Sequence, residues 1–158
     1  MADNFTHIDE RGAARMVDVS AKDVTVRSAT ASGRVLVSDE VVDLLRAGGV
    51  PKGDALAVAR IAGIQAAKRT PDLIPLCHPL AIHGVTVDLE VCDGYVAISA
   101  TVRTADRTGV EMEALTCVSV SALALIDMVK AVDPGAVIAE VMLVEKTGGK
   151  RGRWTRDA

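Results

Sequence analysis

The apolar positions of this chain change their period several times, and each change marks an element boundary. Residues 1–12 carry no period and read as a flexible N-terminal arm. Ala13–Val19 alternates loosely and predicts a short strand. Val24 and Val26, then Val35 and Val37, alternate at the two ends of a segment that reads as a strand pair or one long bent strand. Ser38 can cap a helix over Asp39–Ala47, which Gly48-Gly49 stops. A second helix is predicted from Asp54 to Arg69. Thr70-Pro71 ends it, because a residue before proline avoids the helical region. This helix is apolar all round, with Ala57, Val58, Ile61 and Ile64 on one face and Ala59, Gly63 and Ala66 on the other. Such a helix is buried on both sides. Its small-residue face admits a close partner, either a helix of the same chain or another subunit.

His83–Val91 and Tyr95–Val102 alternate on either side of Cys92-Asp93-Gly94 and predict a hairpin. Val110–Ala131 has no Gly or Pro inside and is the clearest helix; Asp133-Pro134-Gly135 breaks it. Val137–Val144 predicts a last strand. From Val24 onward the order is strand, helices, strand, strand, helix, strand. That predicts an α+β fold: a ferredoxin-like βαββαβ antiparallel sheet with helices on one face. Residues 13–150 read as one domain and 151–158 as a basic tail.

Composition narrows the class. Of 158 residues, 49% are hydrophobic but only 2% are aromatic, so the core must be built from Ala, Val, Leu and Ile. The net charge of −3 and the scarcity of stacking rings argue against a nucleic-acid partner. Three widely spaced cysteines, Cys77, Cys92 and Cys117, read as reduced thiols. The polar N-terminus lacks a signal-peptide core, and no uninterrupted apolar stretch approaches the roughly 20 residues that span a bilayer. The expectation is a cytoplasmic protein without a membrane partner.

Chemistry is suggested in three places. There is no P-loop, no HExxH, no GxSxG and no metal-ligand spacing. His78 lies between Pro75 and Pro79, which fix their own φ angles; it either orients a ligand or sits in an ordinary turn. Asp127 and Lys130, three apart in the long helix, are neighbours. They form either an exposed ion pair or a partly buried, costly one that marks a site. Glu113 lies on the same side of that helix as Asp127, but fourteen residues away, about 21 Å along the axis. If both ends serve chemistry, the site is shared between subunits. Glycines beside Lys52 and Lys150 (Lys52-Gly53, Gly148-Gly149-Lys150) let backbone and ammonium approach an anion together, and Lys146 follows the last strand close by, although a charged tail can also be merely solvated.

The runs MVDVS (16–20), KGDALAVARIAGIQAAKRTPDLIPLCHPL (52–80), TGVEMEALT (108–116), DMVKAV (127–132) and KTGGK (146–150) closely resemble the MoaC family of molybdenum-cofactor biosynthesis. The resemblance implies a homo-oligomer, a hexamer built as a trimer of dimers, with active sites at subunit interfaces. It implies a lyase acting on 3′,8-cyclo-7,8-dihydro-GTP, supplied by a separate radical GTP cyclase. The products would be cyclic pyranopterin monophosphate and pyrophosphate. Asp127, Lys130 and Lys52 would be catalytic. Leu76, Cys77, His78, Met112, Glu113, Glu111, Arg27, Asp18, Lys146 and Lys150 would bind substrate. No cofactor and no metal site is implied, apart from magnesium that could accompany the triphosphate. Ile126 stands where the family pattern suggests a tyrosine, so no phenol acts there. The rival readings are a regulatory ferredoxin-like module and an ordinary GTP hydrolase.

Overall fold

The computed structural model describes residues 7–157. The elements run β1 (Thr25–Leu36), α1 (Asp39–Ala47), α2 (Ala55–Lys68), α3 (Thr70–Leu73), β2 (Gly84–Cys92), β3 (Tyr95–Asp106), α4 (Glu111–Val129), β4 (Val137–Thr147) and β5 (Trp154–Thr155). They form an α+β structure with one five-stranded antiparallel sheet in the order β2-β3-β1-β4-β5. Residues 1–6 of the expected N-terminal arm lie outside the described residues. Its remainder makes a turn closed by a bridge between Ile8 and Ala14.

The two faces of the sheet differ in chemistry. On one, Ala29, Ala31 and Val35 of β1 and Val96, Ile98, Ala100 and Val102 of β3 are buried. They pack with Cys117, Val118, Ala122 and Leu125 of α4. Burying each of the larger aliphatic side chains contributes roughly 1.5–3 kcal/mol. Gly33 makes the close seating possible, since a Cβ there would lie 2.9 Å from Val118 Cγ1. The other face carries hydroxyls and charges. Ser28 bonds Thr147 and Thr30 bonds Thr101, both at 2.8 Å. Arg34 pairs with Glu140 and lies over the Tyr95 ring.

Most boundaries follow the pattern read from the sequence. Ser38 caps α1 through its side chain, and Gly48 ends it in the left-handed region at φ 69°. Asp54 caps α2. Two readings change and two sharpen. Ala13–Val19 is not a strand: it lies along a cavity wall, where the Val17 carbonyl accepts a bond from His78. The segment from 24 to 37 holds one strand, and the early valines are on its outer side: Val26 is 75% exposed while Val35 is buried. The core-facing positions there are alanines and a glycine, too small to reveal the phase. Thr70-Pro71 does end α2, but Pro71 then opens the short α3, where a missing N–H costs nothing. Finally, part of the basic tail forms β5, pairing Trp154 with Lys146 on β4.

The second helix finds its close partner within the chain. The small face, Ala59, Gly63, Ala66 and Ala67, is buried, and Gly63 packs on Ser121 and Cys117 of α4. The larger apolar side chains Val58 and Ile61 are left exposed, Ile61 at 57%. Helix α4 has the length and hydropathy to cross a membrane. Yet Ala114, Cys117, Val118, Ala122 and Leu125 are buried in the core it shares with the sheet.

Candidate active site

Two cavities open at the N-terminal end of α4 and share Lys22, Gly109 and Glu111 on their walls. The first, about 570 Å³, is a cationic cradle. Strand β4 delivers Lys146 to it, and the chain then turns through Gly148 and Gly149, both at positive φ. Only glycine fits this turn. A Cβ on Gly148 would lie 2.3 Å from the Val26 carbonyl oxygen, and one on Gly149 would meet the Arg27 guanidinium at 2.4 Å. Arg27 is itself fixed by donating from Nε to the Asp106 carbonyl at 3.0 Å. Lys150 and Arg151 complete the rim. A pocket with this many cations and backbone turns suits a polyanion.

The second cavity, about 540 Å³, is mostly apolar. Leu76, Cys77 and His78 form one wall, and Met112 and Glu113 of α4 form another. His78 Nε2 lies 2.6 Å from the Val17 carbonyl. A carbonyl only accepts, so Nε2 carries the proton. Asp18 does not reach either wall. Its carboxylate accepts the Ser20 N–H at 2.9 Å, which holds its pKa below the usual range. His78 is close enough to lower it further.

Glu113 is the most unusual group here. It is 1% exposed, and neither carboxylate oxygen has a hydrogen-bond partner. Burial pushes its pKa up to about 7, and the nearby Glu111 adds to the effect. Near neutral pH this carboxyl is poised between acid and base. Burial, helped by Glu113 and Glu111, also raises the Cys77 thiol.

The third group lies at the other end of α4. Asp127 receives Lys130 at 2.7 Å and Lys52 at 3.1 Å, and Lys52 also donates to the Asp127 backbone carbonyl at 2.8 Å. The pair is exposed, not buried. Lys130 first, then Lys52, holds the Asp127 pKa below its ordinary value, so the carboxylate stays ionised between two ammonium groups. Lys52 and Asp127 are 75 residues apart, and only the fold brings them together.

The thirteen sequence-predicted residues thus fall into two clusters. Arg27, Glu111, Lys146 and Lys150 line the cradle; Leu76, Cys77, His78, Met112 and Glu113, with Glu111 again, line the apolar cavity; Asp18 stands behind His78. Lys52, Asp127 and Lys130 stand apart, at the far end of the helix. Sequence reasoning missed Lys22, which lines both cavities, and His7, Val17 and Val19. Lys22 belongs to no recognisable spacing and could be found only in three dimensions. Among the described residues no cluster of three or more His, Cys, Asp or Glu side chains could hold a metal ion.

The MoaC family model matches residues 16–149, which hold all of the thirteen except Lys150. The chain is 73% identical over 154 residues to a cyclic pyranopterin monophosphate synthase of Streptomyces coelicolor, covering 98% of this chain and 91% of the relative. It is 62% identical over 152 residues to cyclic pyranopterin monophosphate synthase 2 of Mycobacterium tuberculosis, covering 96% and 91%. A synthase of the same name from Parvibaculum lavamentivorans is 60% identical over 153 residues, with 96% of each chain covered. At such identity over nearly the whole length, this chain belongs to the MoaC family.

Proposed function

We propose that this chain is a cyclic pyranopterin monophosphate synthase. It would convert 3′,8-cyclo-7,8-dihydro-GTP, supplied by a radical GTP cyclase, to cyclic pyranopterin monophosphate and pyrophosphate in molybdenum-cofactor biosynthesis. The observation that carries the reading is the pairing of a cationic cradle with an apolar, acid-floored cavity across the shared wall of Lys22, Gly109 and Glu111. A nucleotide-derived substrate has the same two halves. Its triphosphate fits the cradle, and its ring system fits against His78, Met112 and Glu113.

In this reading the sugar hydroxyl oxygen attacks the α-phosphorus. A new O–P bond forms, the bond from the α-phosphorus to the bridging oxygen breaks, pyrophosphate leaves with the electron pair, and the hydroxyl proton passes to solvent. Lys146, Lys150 and Arg27 stabilise that charge. The purine-to-pterin rearrangement needs protons moved at the ring. Asp127, ionised between Lys52 and Lys130, is the acid/base unit we assign to it.

Asp127 and Glu113 are fourteen residues apart on α4, about 21 Å. One small substrate does not span that distance, so we infer that two subunits each supply one cluster. The exposed Val58, Ile61 and Leu123 near this helix pair offer an apolar face for such a partner. The βαββαβ order and the strand order β2-β3-β1-β4 support a ferredoxin-like subunit, and the family suggests a cytoplasmic hexamer as a trimer of dimers. Residues 13–150 would be its catalytic domain. The test is subunit mixing. Asp127→Ala and Lys146→Ala chains, each inactive alone, are unfolded together and refolded. Recovered pyrophosphate release in the mixture supports a shared site; two inactive parents giving an inactive, well-assembled mixture would contradict it.

A further inference from the structure

Lys146 and Glu111 form an ion pair at the meeting point of the two cavities, with Nζ 2.7 Å from Oε1. Their side chains are only 32% and 27% exposed, so water screens them less than the other pairs on this surface. The contact has a seat made for it. The Glu111 carboxylate folds back over Gly109 so closely that a Cβ there would lie 1.8 Å from Oε2. Around it, Lys22, Arg27, Lys150 and Arg151 line the cradle. A carboxylate therefore already occupies part of the place where a phosphate would bind.

We propose that Glu111 is the resident anion of the phosphate cradle, a gate that a polyphosphate must displace from Lys146, and not a direct substrate contact. This rests on the reading of the cradle as a triphosphate site. A carboxylate and a phosphate on the same ammonium are like charges at close range, and they repel. A single phosphate competes with Glu111 on nearly equal terms. A chain of three phosphates also reaches Lys150 and Arg151, and those added contacts displace the carboxylate. The gate thus weakens both ligands alike, and the longer chain keeps useful affinity through its added contacts.

The probes are inorganic tripolyphosphate and orthophosphate, measured by titration calorimetry on the intact assembly. Glu111→Gln is expected to bind tripolyphosphate about fivefold tighter than the parent, the scale of one partly shielded ion pair. Orthophosphate is expected to gain by a similar factor from a weaker starting affinity, because both ligands displace the same carboxylate. With Lys146→Gln in the background, Glu111→Gln should have no further effect. Gly109→Ala supplies a second route, since it pushes the carboxylate from its seat without changing net charge, and it should act in the same direction. Unchanged or weaker binding by Glu111→Gln would overturn the gate and return Glu111 to the substrate contacts. An equal gain in the Lys146→Gln background would also overturn it, as would no measurable tripolyphosphate binding by the parent. Loss of the synthase reading shows up separately, as absence of turnover by the parent with the binding cycle intact.

Discussion

Replacing Glu113 by Gln isolates the cost of one buried carboxyl. Glu113 is almost wholly buried and both its oxygens lack partners. Its folded pKa of about 7 stands above the ordinary 4.5. The folded protein therefore binds this proton more tightly than the unfolded chain does. The associated stability is fully present below the unfolded value and is lost as pH rises through the folded one. Between about pH 4.5 and pH 7 the difference amounts to about 3 kcal/mol, at 1.36 kcal/mol for each pH unit. Gln keeps the shape and cannot ionise. Denaturant unfolding at one fixed protein concentration, at pH 5 and at pH 8, reads the effect. The variant and the parent should be similar at pH 5, and the variant should be more stable at pH 8 by up to about 3 kcal/mol. Parallel pH dependence in the two proteins would show that Glu113 ionises freely, and the picture of a poised carboxyl over the ring cavity would fail.

Other changes follow from particular contacts. Asp127→Ala should leave folding, assembly and melting temperature unchanged, because the trio is exposed, yet lower turnover about 10²-fold or more; steady-state kinetics beside a melting curve separates the two effects. Gly63→Ala should destabilise by about 1–3 kcal/mol, since a Cβ would lie 2.9 Å from the Cys117 carbonyl oxygen and 2.1 Å from Ser121 Oγ, forcing α2 off α4; chemical denaturation measures it. Gly148→Ala should weaken tripolyphosphate binding by about tenfold or more while sparing the helices, because a Cβ there runs into backbone at Val26; calorimetry with circular dichroism distinguishes these outcomes.

How legible the molecule was in its sequence depended on side-chain size. Helix α1 was readable to the residue, since Ser38 and Gly48 carry local, mechanistic end signals. The hairpin was readable from Cys92-Asp93-Gly94. The phase of β1 was not, because its inward positions are Ala29, Ala31 and Gly33, while the conspicuous Val24 and Val26 point to solvent. The apolar run at 13–19 looked like a strand, but its backbone partner is the ring of His78. Periodicity cannot show a contact across 61 residues. The site followed the same rule. Glu113, Asp127 and Lys130 were visible as polar residues on an apolar helix. Lys52 joined Asp127, and Lys22 joined the two cavities, only through the fold. The chemistry itself came from the long motif runs, not from spacing or composition.

The most direct measurement is turnover. The purified chain is given 3′,8-cyclo-7,8-dihydro-GTP, with GTP as the control, and pyrophosphate release and pterin formation are followed together. The account predicts both signals, in equal amounts, from the cyclised compound and neither from GTP. A well-folded protein that leaves the cyclised compound untouched, or that hydrolyses GTP equally well, would contradict it.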